Sequence, residues 1–179
     1  DMIYLNLAGH DFKYEIEEIA RLFFNNEEIV VSEVKPPVEY RGIFVLSEMI
    51  EISEQIMIKT RIELDGIQRY CNEIVSNVSS VENSIGSDYE RRKLIKRELK
   101  REIYMALSNF TGKKLPWGIL TGIRPAKIVH EMLESGLCKE EIQDRLTQYY
   151  NLSGQKADLL CDVARTERII LNNTGTDMI

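Results

Sequence analysis

Residues 87–112 read SDYERRKLIKRELKREIYMALSNFTG, and the fold turns on them. Ile95, Leu99, Ile103, Ala106, Leu107 and Phe110 recur there at three- and four-residue spacing, the period of an α-helix with one apolar face. Ser87 or Asp88 offers a side-chain oxygen to cap its start, and Gly112 is suited to ending it. Before this stretch the apolar period is mostly two; after it the period stays helical. Strands and helices therefore fall into blocks instead of alternating, which predicts an α+β chain and argues against a doubly wound one.

Working back toward the N-terminus, Ile3, Leu5 and Leu7 alternate with Tyr4 and Asn6, a short strand that Gly9 ends. Asp11 is placed to cap a helix in which Phe12, Ile16, Ile19, Ala20, Phe23 and Phe24 share a face. Ile29 to Val31 reads as a second strand, stopped by Pro36-Pro37 because proline has no N–H to give a ladder. Residues 43–50 and 55–64 are β-branched, apolar runs with Ile56, Ile58 and Ile62 on one side. Asp65-Gly66 then predicts a type I′ hairpin into a fifth strand, residues 67–75, although Ile67, Cys71, Ile74 and Val75 would also fit a helix. The polar, turn-forming residues 77–86 read as a linker.

Working forward, Pro125 suits the first turn of a helix carrying Ile128, Val129, Met132 and Leu133 up to Gly136. A third helix spans 139–150. Ser153 caps a fourth, with Ala157, Leu160, Cys161 and Ala164 facing inward. The expected organisation is a small sheet with one helix over residues 1–76, the linker, and a bundle of about four helices over 87–179.

The chain has 179 residues, 44% of them hydrophobic, and a formal charge of -6. That is enough chain to bury a core without disulfides or metals. Apolar runs such as 43–47 are far below the roughly 18 residues of a membrane span. The opening residues lack the basic start and small-residue cleavage site of a signal peptide, so a cytoplasmic location is expected. Cys71, Cys138 and Cys161 contain no CxxC pair and read as reduced, buried, structural thiols, with no metal site among them.

Charge is unevenly distributed. Residues 1–86 hold 7 basic and 16 acidic side chains, 87–130 hold 11 and 4, and 131–179 hold 5 and 9. The basic excess sits on the long helix, where Arg92, Lys96 and Lys100 lie among Arg91, Lys93, Arg97 and Arg101. One reading is a solvated face paired with acids from elsewhere in the chain; the other is a dock for a polyanion, either nucleic acid phosphates or a substrate with several carboxylates.

Residues 115–130, LPWGILTGIRPAKIVH, differ in texture from the rest: they contain the single Trp and two of the 4 Pro residues. Thr121, Gly122 and Arg124 form a loop entering the helix that carries Lys127, so backbone N–H groups and two cations could meet a carboxylate or phosphate. A rigid connector, with Trp117 filling the gap between helices, explains the same residues. His10 and His130 have no partner at triad or metal spacing, and no catalytic signature is present.

The run Leu115 to Pro125 with Lys127, preceded by Leu107-Ser108-Asn109-Phe110-Thr111-Gly112-Lys113, resembles the N-terminal domain of oxygen-independent coproporphyrinogen III oxidase-like enzymes, HemZ-type coproporphyrinogen dehydrogenases of the radical SAM class. The resemblance implies an accessory domain of an oxidoreductase of haem (porphyrin) biosynthesis. It implies a catalytic barrel elsewhere in the parent chain, where a CxxxCxxC motif holds a [4Fe-4S] cluster that cleaves S-adenosylmethionine. This segment lacks that motif, so alone it is expected to be non-catalytic and without a cofactor. Its expected partners are that catalytic domain and, through Trp117, Thr121, Gly122, Arg124, Lys127 and the basic helix, a porphyrinogen carboxylate. A competing reading is a nucleic-acid-binding or regulatory module, built on the basic helix and a helix-turn-helix-like pair over 139–160. The chain's acidity and the few long donors at Gln155, Lys156 and Asp158 weigh against it.

Overall fold

A computed structural model describes residues 2–37, 39–78, 87–121 and 124–174. In chain order the elements are β1 (Met2–Ala8), α1 (Lys13–Phe23), β2 (Glu28–Ser32), β3 (Ile43–Ile52), β4 (Gln55–Leu64), β5 (Ile67–Asn77), α2 (Ser87–Thr111), α3 (Ala126–Glu134), α4 (Lys139–Gln148) and α5 (Gly154–Thr174). The α+β class and the strands-then-helices order are as the sequence reads. Two compact units result, residues 1–114 and 115–179.

In the first unit the sheet order is β2-β1-β3-β4-β5. The pairs β1–β2 and β1–β3 are parallel, while β3–β4 and β4–β5 are antiparallel. Register places Ile3 beside Ile43, Leu5 beside Val45, and Val45 beside Ile62, so these residues share one face. Ile3, Leu5, Val45, Ile56, Ile58 and Ile62 are fully buried there, under Ile16 and Ile19 of α1 and Leu99 and Ile103 of α2. The connection from β2 to β3 crosses β1 on the opposite face, where the Tyr40 ring meets Tyr4 edge-on at 5.6 Å and its hydroxyl donates to the Met2 carbonyl at 2.7 Å.

The hairpin at Asp65-Gly66 forms as expected: both residues take positive φ, 54° and 79°, the type I′ requirement. The fifth segment is therefore a strand and not a helix. Its register shifts at Ile62/Glu63, a bulge that leaves Arg69 as the extra residue.

Two readings change. The long helix α2 packs on α1, β4 and β5 and belongs with the sheet, so the division between units falls after Lys114 instead of within 77–86. The physical reason is area: α1 lies against β2, and the buried face over β4 and β5 needs a second helix, which α2 supplies. Of the linker, residues 79–86 lie outside the described residues. Asp11 does not cap α1; Phe12 holds that position without a side-chain hydrogen bond, and Asp11 turns to Arg92 at 2.7 Å.

The second unit is three helices around Val129, Ile142, Leu146, Leu152, Ala157, Leu160, Cys161 and Ala164, with Trp117 and Tyr150 packed against them. Ser153 caps α5 as expected, its Oγ accepting from Lys156 N at 3.4 Å. At α4 the cap is Cys138, with the Glu141 carboxylate reaching back to the Cys138 N–H at 2.8 Å. Cys161 is buried as read, whereas Cys71 and Cys138 are exposed, because one sits on the uncovered sheet face and the other at a helix start.

Candidate functional site

The turn at 116–119 is built by close approach. Gly118 has φ 54°, and a Cβ there would overlap the carbonyl oxygen of Tyr150. That contact lets Ile119 N donate to Tyr150 O at 2.9 Å, and Ser153 N donate to Pro116 O at 2.9 Å. The two bonds tie the turn to the α4–α5 connection. Trp117 lies half-buried on the helical core, and Lys156 places its ammonium 4.9 Å from the ring, a cation–π contact. The indole is thus a packing element with one face addressed by a cation.

Around it the sequence-predicted residues separate. Thr121 is half-buried, its N–H donating to Ile119 O at 3.0 Å. Gly122 lies outside the described residues. Arg124 and Lys127 are exposed, and Lys127 reaches Glu131 only at 3.9 Å, one helical turn on. Pro125 is the N-cap residue of α3, which has no acidic residue in its first turn and no side-chain cap. Its positive dipole end and two exposed cations therefore share one short segment, a local environment favourable to a carboxylate.

The basic helix is arranged differently. Arg91 pairs with Glu51 at 3.0 Å and Arg92 with Asp11 at 2.7 Å, the latter guanidinium also lying 4.6 Å from the Phe12 ring centre. Lys96 lies 3.5 Å from Glu15, and Arg97 3.1 Å from Glu98. The Arg92 hydrogen bond holds the Asp11 carboxyl below its usual range. Lys100 is half-buried between α1 and α2, where burial pulls its ammonium down against the upward pull of Glu18 and Glu15. The excess positive charge of α2 is largely the counter-charge of the acidic segment 1–86. This is the arrangement of a charged face paired with acids from elsewhere in the chain.

The acidic outward side of α5 also pairs internally. Lys139 holds Asp162 at 3.0 Å, and the Gln143 amide holds Asp158. A would-be recognition helix presenting carboxylates engaged by its neighbour offers little to base edges.

Neither histidine is free of structure. His10 Nε2 lies 3.1 Å from Ser47 Oγ, and desolvation lowers its pKa against the raising effects of Ser47 and Asp11. His130 Nε2 meets Glu167 at 2.8 Å, joining α3 to α5. Among the described residues no group of three His, Cys, Asp or Glu could hold a metal ion.

Sequence reasoning missed a polar row between the sheet and α2. Ser47, Thr60 and Asn72 are register neighbours across β3, β4 and β5 on the helix-covered face, and Asn72 donates to Glu102 of α2 at 2.7 Å. The signal was present: Thr60 shares the parity of Ile56, Ile58 and Ile62.

No family model matches the chain, and no solved structure matches it. It is 26% identical over 149 residues to the oxygen-independent coproporphyrinogen-III oxidase-like protein HemZ of Bacillus subtilis (strain 168). The match takes in 83% of this chain but 27% of that protein, so the chain corresponds to a part of a much longer relative. The similarity relates this chain to a region of a coproporphyrinogen oxidase-like protein. No helix among the described residues is long and apolar enough to cross a membrane.

Proposed function

We propose that the chain is a non-catalytic, N-terminal accessory domain of a coproporphyrinogen III oxidase-like radical SAM enzyme of haem biosynthesis. In this reading it associates with a catalytic domain that carries the [4Fe-4S] cluster and binds S-adenosylmethionine. Arg124 and Lys127 receive a propionate of the substrate. The observation that carries the reading is the similarity to HemZ over most of this chain. The exposed Arg124 and Lys127 at an acid-free helix start supply the chemistry, since a guanidinium can take both oxygens of a carboxylate.

Titrating coproporphyrin III into the protein and following its absorption band tests the substrate part. Wild type is expected to shift the band. Arg124→Ala is expected to weaken binding about tenfold to a hundredfold, the scale of a lost hydrogen bond to a charged group. Arg92→Ala, already paired within the sheet unit, should bind as wild type. No shift, or one indifferent to Arg124, refutes propionate binding at this segment. Co-purification with the separately expressed catalytic region of HemZ tests the association.

A further inference from the structure

The sheet has two edges, and they are not alike. At one side β2 ends it with 5 residues. At the other, β5 ends it with 11, IQRYCNEIVSN, paired only with β4. An edge strand turns alternate N–H and C=O groups outward, a template for another strand, and long edges are usually blunted by lysine, proline or a covering segment. β5 contains neither lysine nor proline, and its residues 67–69, 71, 73, 75 and 77 are exposed. Its one irregularity is the bulge at Arg69, near one end.

Charge along this edge is symmetric about Cys71, with Arg69 two positions before it and Glu73 two after. Among the described residues neither Arg69 nor Glu73 makes an ion pair or a side-chain hydrogen bond, although Lys59 is the register neighbour of Glu73. On the adjacent strand, by contrast, Arg61 pairs with Glu63 at 3.0 Å. A second copy of β5 can be laid antiparallel along the edge in several registers. Centred on Glu73, like charges oppose each other. Only the register centred on Cys71 sets Arg69 opposite Glu73, and it does so twice, once on each side of a two-fold axis. The side covered by α2 accommodates the same arrangement. That helix packs on β4 and β5 together. With strands about 4.8 Å apart, two copies of α2 related by this axis would lie about 10 Å apart, an ordinary distance between packed helices.

We propose that the free edge of β5 is a homodimer interface, in which β5 pairs antiparallel with β5 of a second copy about a two-fold axis at Cys71, and Arg69 of each copy faces Glu73 of the other. Backbone hydrogen bonds along the edge supply the attraction, and the two ion pairs fix the register. Pairing uses the edge and not the face, so both Cys71 thiols stay on the open side of the sheet.

Sedimentation equilibrium of the full chain at low salt tests this. Wild type is expected to dimerise as its concentration rises. Glu73→Arg and Arg69→Glu each turn two attractive pairs into two like-charge pairs, and each should weaken the dimer about tenfold or more. The double variant Arg69→Glu/Glu73→Arg restores both pairs with their signs exchanged and should return to the wild-type affinity. In Cys138→Ser, which leaves Cys71 as the only exposed cysteine, a short bismaleimide should link two chains through Cys71. A chain that stays monomeric at every concentration overturns the proposal. So does a dimer indifferent to the single reversals, one that the double reversal fails to restore, or one that gives no Cys71 cross-link. The cross-link needs no change on the edge, so it decides for or against even where a charge variant fails to fold.

Discussion

Replacing Gly118 by Ala should damage the second unit more than its small change in volume suggests. Two costs add. At φ 54° an L-residue sits in the left-handed region, a penalty of about 1 kcal/mol. The new Cβ would also overlap Tyr150 O, which accepts from Ile119 N at 2.9 Å. Moving that carbonyl away weakens this bond and the neighbouring Ser153 N to Pro116 O bond, at about 1 kcal/mol each. The total is about 3 kcal/mol, and for a unit of this size each kcal/mol lowers the midpoint by roughly 4–8 °C. Trp117 is the chain's single Trp and lies in this unit, so its fluorescence follows the relevant transition without interference. Gly136→Ala is the control: φ is 85° there but nothing lies within 4 Å of the added Cβ, so only the conformational cost of about 1 kcal/mol applies. Should Gly118→Ala cost no more than Gly136→Ala, the close approach to Tyr150 is not what shapes the turn.

Acid should weaken the sheet unit through His10 before the carboxylates matter. Burial lowers the folded-state pKa of His10 below 6.5, so the unfolded chain binds the proton first, and stability falls as pH drops from about 6.5 toward the folded value. Circular dichroism melts of wild type and His10→Gln at pH 7.5 and 5.5 check this: the wild type should lose more on acidification than the variant, and equal losses would contradict it. A thiol reagent should label Cys71 and Cys138 in the native protein and Cys161 only after unfolding; rapid native labelling of all 3 cysteines would contradict the packing of α5.

Much of the fold was legible locally. The alternation in β1, β3 and β4 and the Asp65-Gly66 turn are short-range signals, and each appears where the pattern put it. Asp11 was misread because an N-cap signal says only that an oxygen is available. Arg92 offers that oxygen a charge-assisted bond instead, from a residue 81 positions away. The basic helix was open to two readings for the same reason, since composition cannot show which acids face it.

The sequence by itself determined the element types other than the fifth strand's, the α+β order, and the cationic texture of residues 115–130, because these follow from nearest neighbours along the chain. Only the tertiary structure decided that α2 belongs to the sheet unit, that its cations are paired with Glu51, Asp11 and Glu15, and that Asn72 of β5 and Glu102 of α2 meet. Those outcomes depend on which apolar face most needs covering and on charges brought together from distant positions. Such relations have no period and no motif, so they become visible only when strands and helices are packed.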